Sequence, residues 1–194
     1  MKRSRHSDRK QASRERILDA ASRAVRRVGF DGVGVAEVMK EAGLTHGGFY
    51  AHFDSRDALL SAAVARAGCS TASALQEHIA RLTRAGVSPF RALVETYLYD
   101  SSIVNRENGC AVAALCAEVP RQGPDVANTF LGLIHDLHRR VAQALPAGQP
   151  DGTAWAVTST LVGALQLARA LGNNDEGRAV LAATKRDLLA RYEP

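Results

Sequence analysis

From Ser13 to the C-terminus, apolar residues recur at spacings of three and four, and no run of Val, Ile, Thr or Tyr alternates with period two. That pattern supplies one apolar stripe per helix and no half-buried strand face, so it restricts the chain to an all-α fold. The 6 prolines and 5% aromatics agree with this, because little in the chain breaks a helix or favours a sheet. With 194 residues, 46% of them apolar, the chain can bury a core without disulfides or metal.

The spacing and the breakers predict where the helices lie. A first helix runs from Ser13 to about Val28, with Ile17, Leu18, Ala21, Ala24, Val25 and Val28 facing a core, and Gly29-Phe30-Asp31-Gly32 ends it. A second covers about Val35 to Ala42, and a third, short one runs from Thr45 to about His52. A long fourth helix starts at Arg56, capped by Asp54 or Ser55, and carries the stripe Leu60, Val64, Ala67, Thr71, Leu75, His78, Leu82. Its weakest stretch by propensity, Ala67 to Thr71 around Gly68, is where a bend is expected. Further helices are expected at about 89–104, 111–119, 125–145, 151–171 and 175–191, between breaks rich in Gly, Pro and Asn.

Several classes are disfavoured. No stretch reaches the roughly 18 uninterrupted apolar residues of a membrane span, and the charged start MKRSRHSDRK leads into no apolar run, so neither a membrane partner nor a secretory leader is expected. Three widely spaced cysteines do not make a disulfide framework and suit a reducing, cytoplasmic setting. There is no G-x-S-x-G, no Walker loop, no dinucleotide fingerprint and no C-x-x-C, and nothing marks a catalytic acid–base pair. We therefore expect no enzyme, no cofactor and no metal site; His135 and His138 lack further ligands to complete one.

The net charge of +5 is concentrated at one end: residues 1–60 carry 12 Lys+Arg against 8 Asp+Glu, and the first 16 residues carry 7 against 2. A basic segment on a nearly neutral body fits the footprint of a nucleic-acid partner and, equally by charge alone, a solvated tail that keeps the chain soluble. The stretch from Val28 to Leu60, V-GFDGVGVAEVMKEAGLTHGGFYAHFDSRDALL, supplies the element that would use it. Two short helices around Glu41-Ala42-Gly43-Leu44 fit a helix-turn-helix. Gly47 and Gly48 let backbone approach a groove closely, Thr45, His46, Tyr50 and His52 offer short polar groups to phosphate or base, and Val38, Leu44, Phe49 and Phe53 form the apolar lock.

The string GF-x-G-x-x-V-x-x-V-x-x-x-AGLTHGGFYAHF-x-SRDALL resembles the N-terminal DNA-binding domain of the TetR family of bacterial transcriptional regulators, over about residues 13–60. The resemblance implies a recognition helix beginning at Thr45, with Thr45, Tyr50 and His52 on phosphate and His46, Gly47 and Gly48 facing base edges. It places Arg56 where the family usually has a backbone-contacting lysine. Gly34 stands where a Thr or Ser usually precedes the second helix, a replacement that removes a hydroxyl and weakens the cap by only a few tenths of a kcal/mol. The implied organisation is a basic flexible arm (1–12), a helix-turn-helix domain (13–54) and a helical ligand-binding and dimerisation domain (55–194), joined through the long fourth helix.

For the body, expectations are looser. A small-molecule pocket among the central helices has Phe90, Tyr97, Cys116, Phe130, Ile134 and Trp155 as candidate lining, each an equally good core residue. Cys110, at a predicted helix N-terminus, is a candidate redox or electrophile sensor. Leu161, Leu165, Ala168, Leu181 and Leu188 are candidates for a two-helix contribution to a dimeric four-helix bundle. The expected function is a homodimeric regulator binding a palindromic double-stranded DNA operator, a repressor released by a small molecule. The alternatives are the same DNA-binding mode governed by Cys110, and a helical small-molecule carrier that never meets DNA.

Overall fold

The computed structural model describes residues 2–193, and side chains from Ser7 onward. Eight α-helices follow one another among them: α1 (Lys2–Val28), α2 (Val35–Glu41), α3 (Arg56–Arg84), α4 (Pro89–Tyr97), α5 (Ala111–Leu115), α6 (Pro124–Ala144), α7 (Thr153–Leu171) and α8 (Asp175–Tyr192). Tight 3-10 turns lie at His46–Ala51, Asp100–Ser102 and Val119–Arg121, and no strand occurs among the described residues. One hydrophobic cluster runs unbroken from Ile17 on α1 to Leu188 on α8.

Local chemistry sets the boundaries. Ser55 accepts a hydrogen bond from Ala58 N at 3.0 Å to start α3, and Ser88 and Asn174 cap α4 and α8 the same way. Gly34 precedes α2 with no side-chain cap. Gly43 takes a positive φ of 69° after α2, while Leu44 N–H reaches Met39 O and Gly43 N–H reaches Lys40 O. That is a Schellman ending, which only glycine adopts without strain, and it sets the angle of the helix-turn-helix.

Four expectations are corrected. Helix α1 starts at Lys2 and not at Ser13, so the segment expected as the flexible arm is helical from Lys2, with residues 7–12 exposed. Val28 ends α1 half exposed (49%) instead of closing its apolar stripe. The predicted helices at 89–104 and 111–119 stop at Tyr97 and Leu115, each followed by a 3-10 turn. Helix α3 is continuous through Gly68, where a Cβ would lie 2.6 Å from Leu133 Cγ on α6. Gly68 is therefore a contact point between α3 and α6, which pack closely there, and not an unsupported bend.

Helix α3, 29 residues long and so roughly 43 Å, is the axis of the molecule. It has the length and mean hydropathy to cross a membrane. Yet its buried residues Leu59, Leu60, Ala63, Val64, Ala67 and Leu75 pack against neighbouring helices, as in a core helix. Arg66 on α3 pairs with Glu15 and, at 3.5 Å, with Asp19 on α1, and Arg23 pairs with Glu41 on α2 at 2.7 Å. The first two helices are thus fixed to the axis and to each other.

Candidate nucleic-acid interface and central cavities

The segment after Gly43 is built as a lock with one face left free. Phe49 and Phe53 are buried (3% and 4% exposed) and stacked at 5.9 Å, with the Arg14 guanidinium 4.9 Å above the Phe53 ring. Val38 is buried beside them and Leu44 half-buried, so the four residues expected as the lock pack inward. On the other side Thr45, His46, Gly47 and Tyr50 are exposed, Tyr50 at 74% with only an edge contact to Phe49. The recognition element is a six-residue 3-10 turn rather than the expected helix through His52.

Gly47 and Gly48 need no glycine for the fold. Neither has a positive φ, a Cβ on Gly47 would meet nothing within 4 Å, and one on Gly48 would make ordinary contacts with Met39 and Thr45. Two adjacent glycines, Gly47 exposed and Gly48 half-buried, with no internal reason are explained by something that approaches from outside.

His52 and Arg56 differ from their exposed neighbours. His52 is half-buried with Nδ1 enclosed and without a partner, and burial, then Lys10, then Arg14, lower its pKa, so the ring is neutral at pH 7. Arg56 was expected to reach DNA backbone. Its Nε donates to Val33 O at 3.3 Å and its Nη2 to Phe30 O, clamping the carbonyls of the α1–α2 turn. A guanidinium so engaged has fewer donors for phosphate than a free lysine at the same place.

In the body, two cavities of about 550 and 480 Å³ flank α3. Thr71, Leu75, Tyr97 and Cys110 line both and form the partition between them. The Tyr97 hydroxyl is buried and donates to Cys110 Sγ at 3.1 Å, and burial raises its pKa well above 10. Of the six pocket candidates, only Tyr97 borders either cavity. Phe90 and Phe130 are core (1% and 0% exposed), the former against the Tyr192 ring; Cys116 and Ile134 pack half-buried. Trp155 lies on the surface with His138 stacked on it at 3.9 Å. Size marked these residues in the sequence, but the largest side chains are the ones a core absorbs first, and the cavities formed where α3 presents small groups. Among the described residues no three His, Cys, Asp or Glu gather as a metal site.

The dimer candidates are also displaced. Leu161, Leu165, Ala168, Leu181 and Leu188 are at most 3% exposed, so they hold α7 and α8 to each other and to the core of one chain. The outward face of α7 instead shows Leu167 (60%) and Leu171 (37%), and α8 exposes Ala179, Ala182, Ala183 and Ala190. Periodicity revealed two apolar sides on α7 but not which one turns outward.

Residues 17–63 match the family model described as bacterial regulatory proteins, tetR family. No curated protein matches the sequence significantly. The whole chain superposes on solved regulators. The reduced form of Escherichia coli NemR shares 22% identity over 92% of this chain and 96% of that one, with a TM-score of 0.74. A TetR-family regulator from Agrobacterium tumefaciens gives 21% over 94% and 98%, TM-score 0.72. One from Cytophaga hutchinsonii gives 18% over 95% and 96%, TM-score 0.76. The lock, the glycine-ended turn and the first turns of α3 thus lie in the segment that matches the tetR family of bacterial regulatory proteins, carried on a chain with the all-helical fold of solved TetR-type regulators.

Proposed function

We propose that the chain is a transcriptional repressor that binds a palindromic DNA operator as a homodimer in the cytoplasm and releases it when a small molecule occupies the central cavities. The observation that carries the DNA contact is the Gly47-Gly48 pair, Gly47 exposed and Gly48 half-buried, at neither of which packing or backbone demands a glycine, flanked by exposed Thr45, His46 and Tyr50. In this reading Thr45 and Tyr50 bind phosphate, and His46, Gly47 and Gly48 meet base edges. His52 supports the segment from behind with one ring nitrogen left for phosphate, and Arg56 acts chiefly by holding the turn before α2. Two-fold symmetry doubles the contact, with the exposed α7–α8 face around Leu167 as the dimer surface. No catalytic role is proposed for any residue.

A second reading keeps the DNA contact and replaces the ligand with chemistry at Cys110. It is favoured by the position of Cys110, which lines both cavities beneath the Tyr97 hydroxyl, and by the likeness to a regulator whose solved form is specified as reduced. A mobility-shift titration on DNA from upstream of the chain's own gene, at several salt concentrations, tests the main reading. Sequence-selective binding with a steep salt slope is expected. No binding, or equal affinity for every sequence, overturns it in favour of a carrier. Diamide treatment of wild type and Cys110→Ser separates the second reading, since an equal response in both eliminates Cys110 as the sensor.

A further inference from the structure

The cavities lie in the body and Gly47 and Gly48 at the far end, so occupancy must be passed to α1 and α2 by some contact that spans the boundary. We propose that Arg26, in the last turn of α1, is that contact: a strut two of whose acceptors, Thr71 and Gly109, are themselves part of the cavity walls. The proposal rests on the ligand-responsive reading above and names the residue through which the response travels.

Arg26 is 5% exposed although it is a cation, and no carboxylate lies within ion-pair distance of it among the described residues. Its Nε donates to Ser22 O at 3.0 Å within α1. Its Nη1 reaches out of the domain to Ala67 O at 3.5 Å, Ser70 Oγ at 3.4 Å, Thr71 Oγ1 at 3.3 Å and Gly109 O at 3.4 Å. Two N–H hydrogens are thus shared among four acceptors, all near the outer limit of a hydrogen bond. Burial lowers the Arg26 pKa to about 10, so the group remains charged at neutral pH and depends on these acceptors.

Two of those four acceptors border the cavities. Thr71 lines both, Gly109 lines the larger, and Cys110, next in sequence, lines both. Thr71 Oγ1 has a single proton to give, with Ala67 O at 2.8 Å and Gly109 O at 3.2 Å competing for it. A molecule that displaces the Gly109-Cys110 backbone by a few tenths of an ångström therefore withdraws an acceptor from Arg26 and reorients Thr71. A buried cation cannot leave that loss uncompensated, so the last turn of α1 must move. That turn leads directly into Gly29 and Phe30, whose carbonyl Arg56 clamps ahead of α2. No other side chain of α1 hydrogen-bonds to a residue that lines both cavities among the bonds described.

Methyl methanethiosulfonate provides a defined occupant. The Cys110 thiol attacks its sulfenyl sulfur, an Sγ–SCH3 disulfide forms, and methanesulfinate and a proton leave; dithiothreitol reverses the step. The full-length chain carrying Cys69→Ser and Cys116→Ser is labelled to completion by mass, and amide hydrogen exchange is followed over residues 26–33, with DNA affinity measured in parallel. Labelling is expected to accelerate exchange there at least tenfold and to weaken DNA binding. With Arg26→Met, which keeps the side-chain stem, exchange should be raised before labelling, and labelling should add less than twofold. Thr71→Val, which removes only the shared acceptor, should halve the labelling effect or more. Complete labelling with unchanged exchange over 26–33, or a full response retained in Arg26→Met and Thr71→Val, overturns the strut. A protein that binds no DNA before labelling refutes the regulator reading alone, because the exchange result still decides the role of Arg26.

Discussion

Replacing Gly47 with alanine should move stability and DNA affinity in opposite directions. The added methyl meets nothing within 4 Å, and the backbone there needs no positive φ, so the folded state accepts it without strain. The unfolded chain loses freedom, which stabilises the protein by about 0.4–1 kcal/mol. At roughly 2–4 °C per kcal/mol for a chain of this size, the melting temperature rises by about 1–4 °C. Against DNA the same methyl intrudes into a surface that closes on base edges. Overpacking a tight contact costs about 1–3 kcal/mol, or roughly 5- to 150-fold in affinity for each recognition turn. Calorimetry and fluorescence anisotropy on the upstream DNA measure the two effects. A variant that melts at or above wild type and binds DNA equally well would refute the close-approach argument, because no folding defect would remain to blame. Gly48→Ala should behave alike, since its Cβ stays 3.7 Å from Met39 Cε.

Tyr50→Ala should weaken DNA binding by about 1–3 kcal/mol per site, with a stability change within about 0.5 kcal/mol as for an open surface position; a large fall in melting temperature would place the ring in the core. Arg56→Met should instead destabilise the fold by about 1–3 kcal/mol, as the carbonyls of Phe30 and Val33 lose their donor; an unchanged denaturation midpoint with lost DNA binding would return Arg56 to the interface. The folded-state pKa of His52 lies below its unfolded value because of burial, Lys10 and Arg14. Its neutral form is therefore favoured by folding, and that stability is present above about pH 6.5 and lost as pH falls through it. Melting curves between pH 7.5 and 5.5 should show a smaller acid loss in His52→Gln than in wild type, and an equal loss would remove His52 as a source. Leu167→Glu should convert the proposed dimer to a well-folded monomer by light scattering, because this side chain is already 60% exposed within one chain; a persistent dimer would put the interface elsewhere.

The helix-turn-helix could be read residue by residue because its determinants are local. Gly43 must end α2, Phe49 and Phe53 follow the helical spacing inward, and Gly47-Gly48 are conspicuous wherever the chain folds. The all-helical class and the start of α3 at Arg56 follow from the same short-range rules of periodicity and capping. What lay beyond reach depends on partners distant in sequence. Leu161, Leu165, Ala168, Leu181 and Leu188 satisfy a dimer stripe and an internal one equally well, and only the way α7 and α8 pack on the other helices chose the internal one. Arg26 differs in no local respect from Arg23 and Arg27, yet it alone of the three is buried, because α3 and the loop ending at Gly109 bring four backbone and hydroxyl oxygen acceptors around it, in addition to Ser22 O of its own helix. The cavities form where α3 offers Thr71 and its small neighbours Ala72 and Ser73 instead of bulk, and their walls come from α3, α4, α6 and the segment after Asp100 together. Helix formation and capping are settled within a few residues of chain, so the sequence determined them. Which face is buried, which charge is enclosed and where space is left are settled by packing between elements up to a hundred residues apart, and the tertiary structure alone decided those.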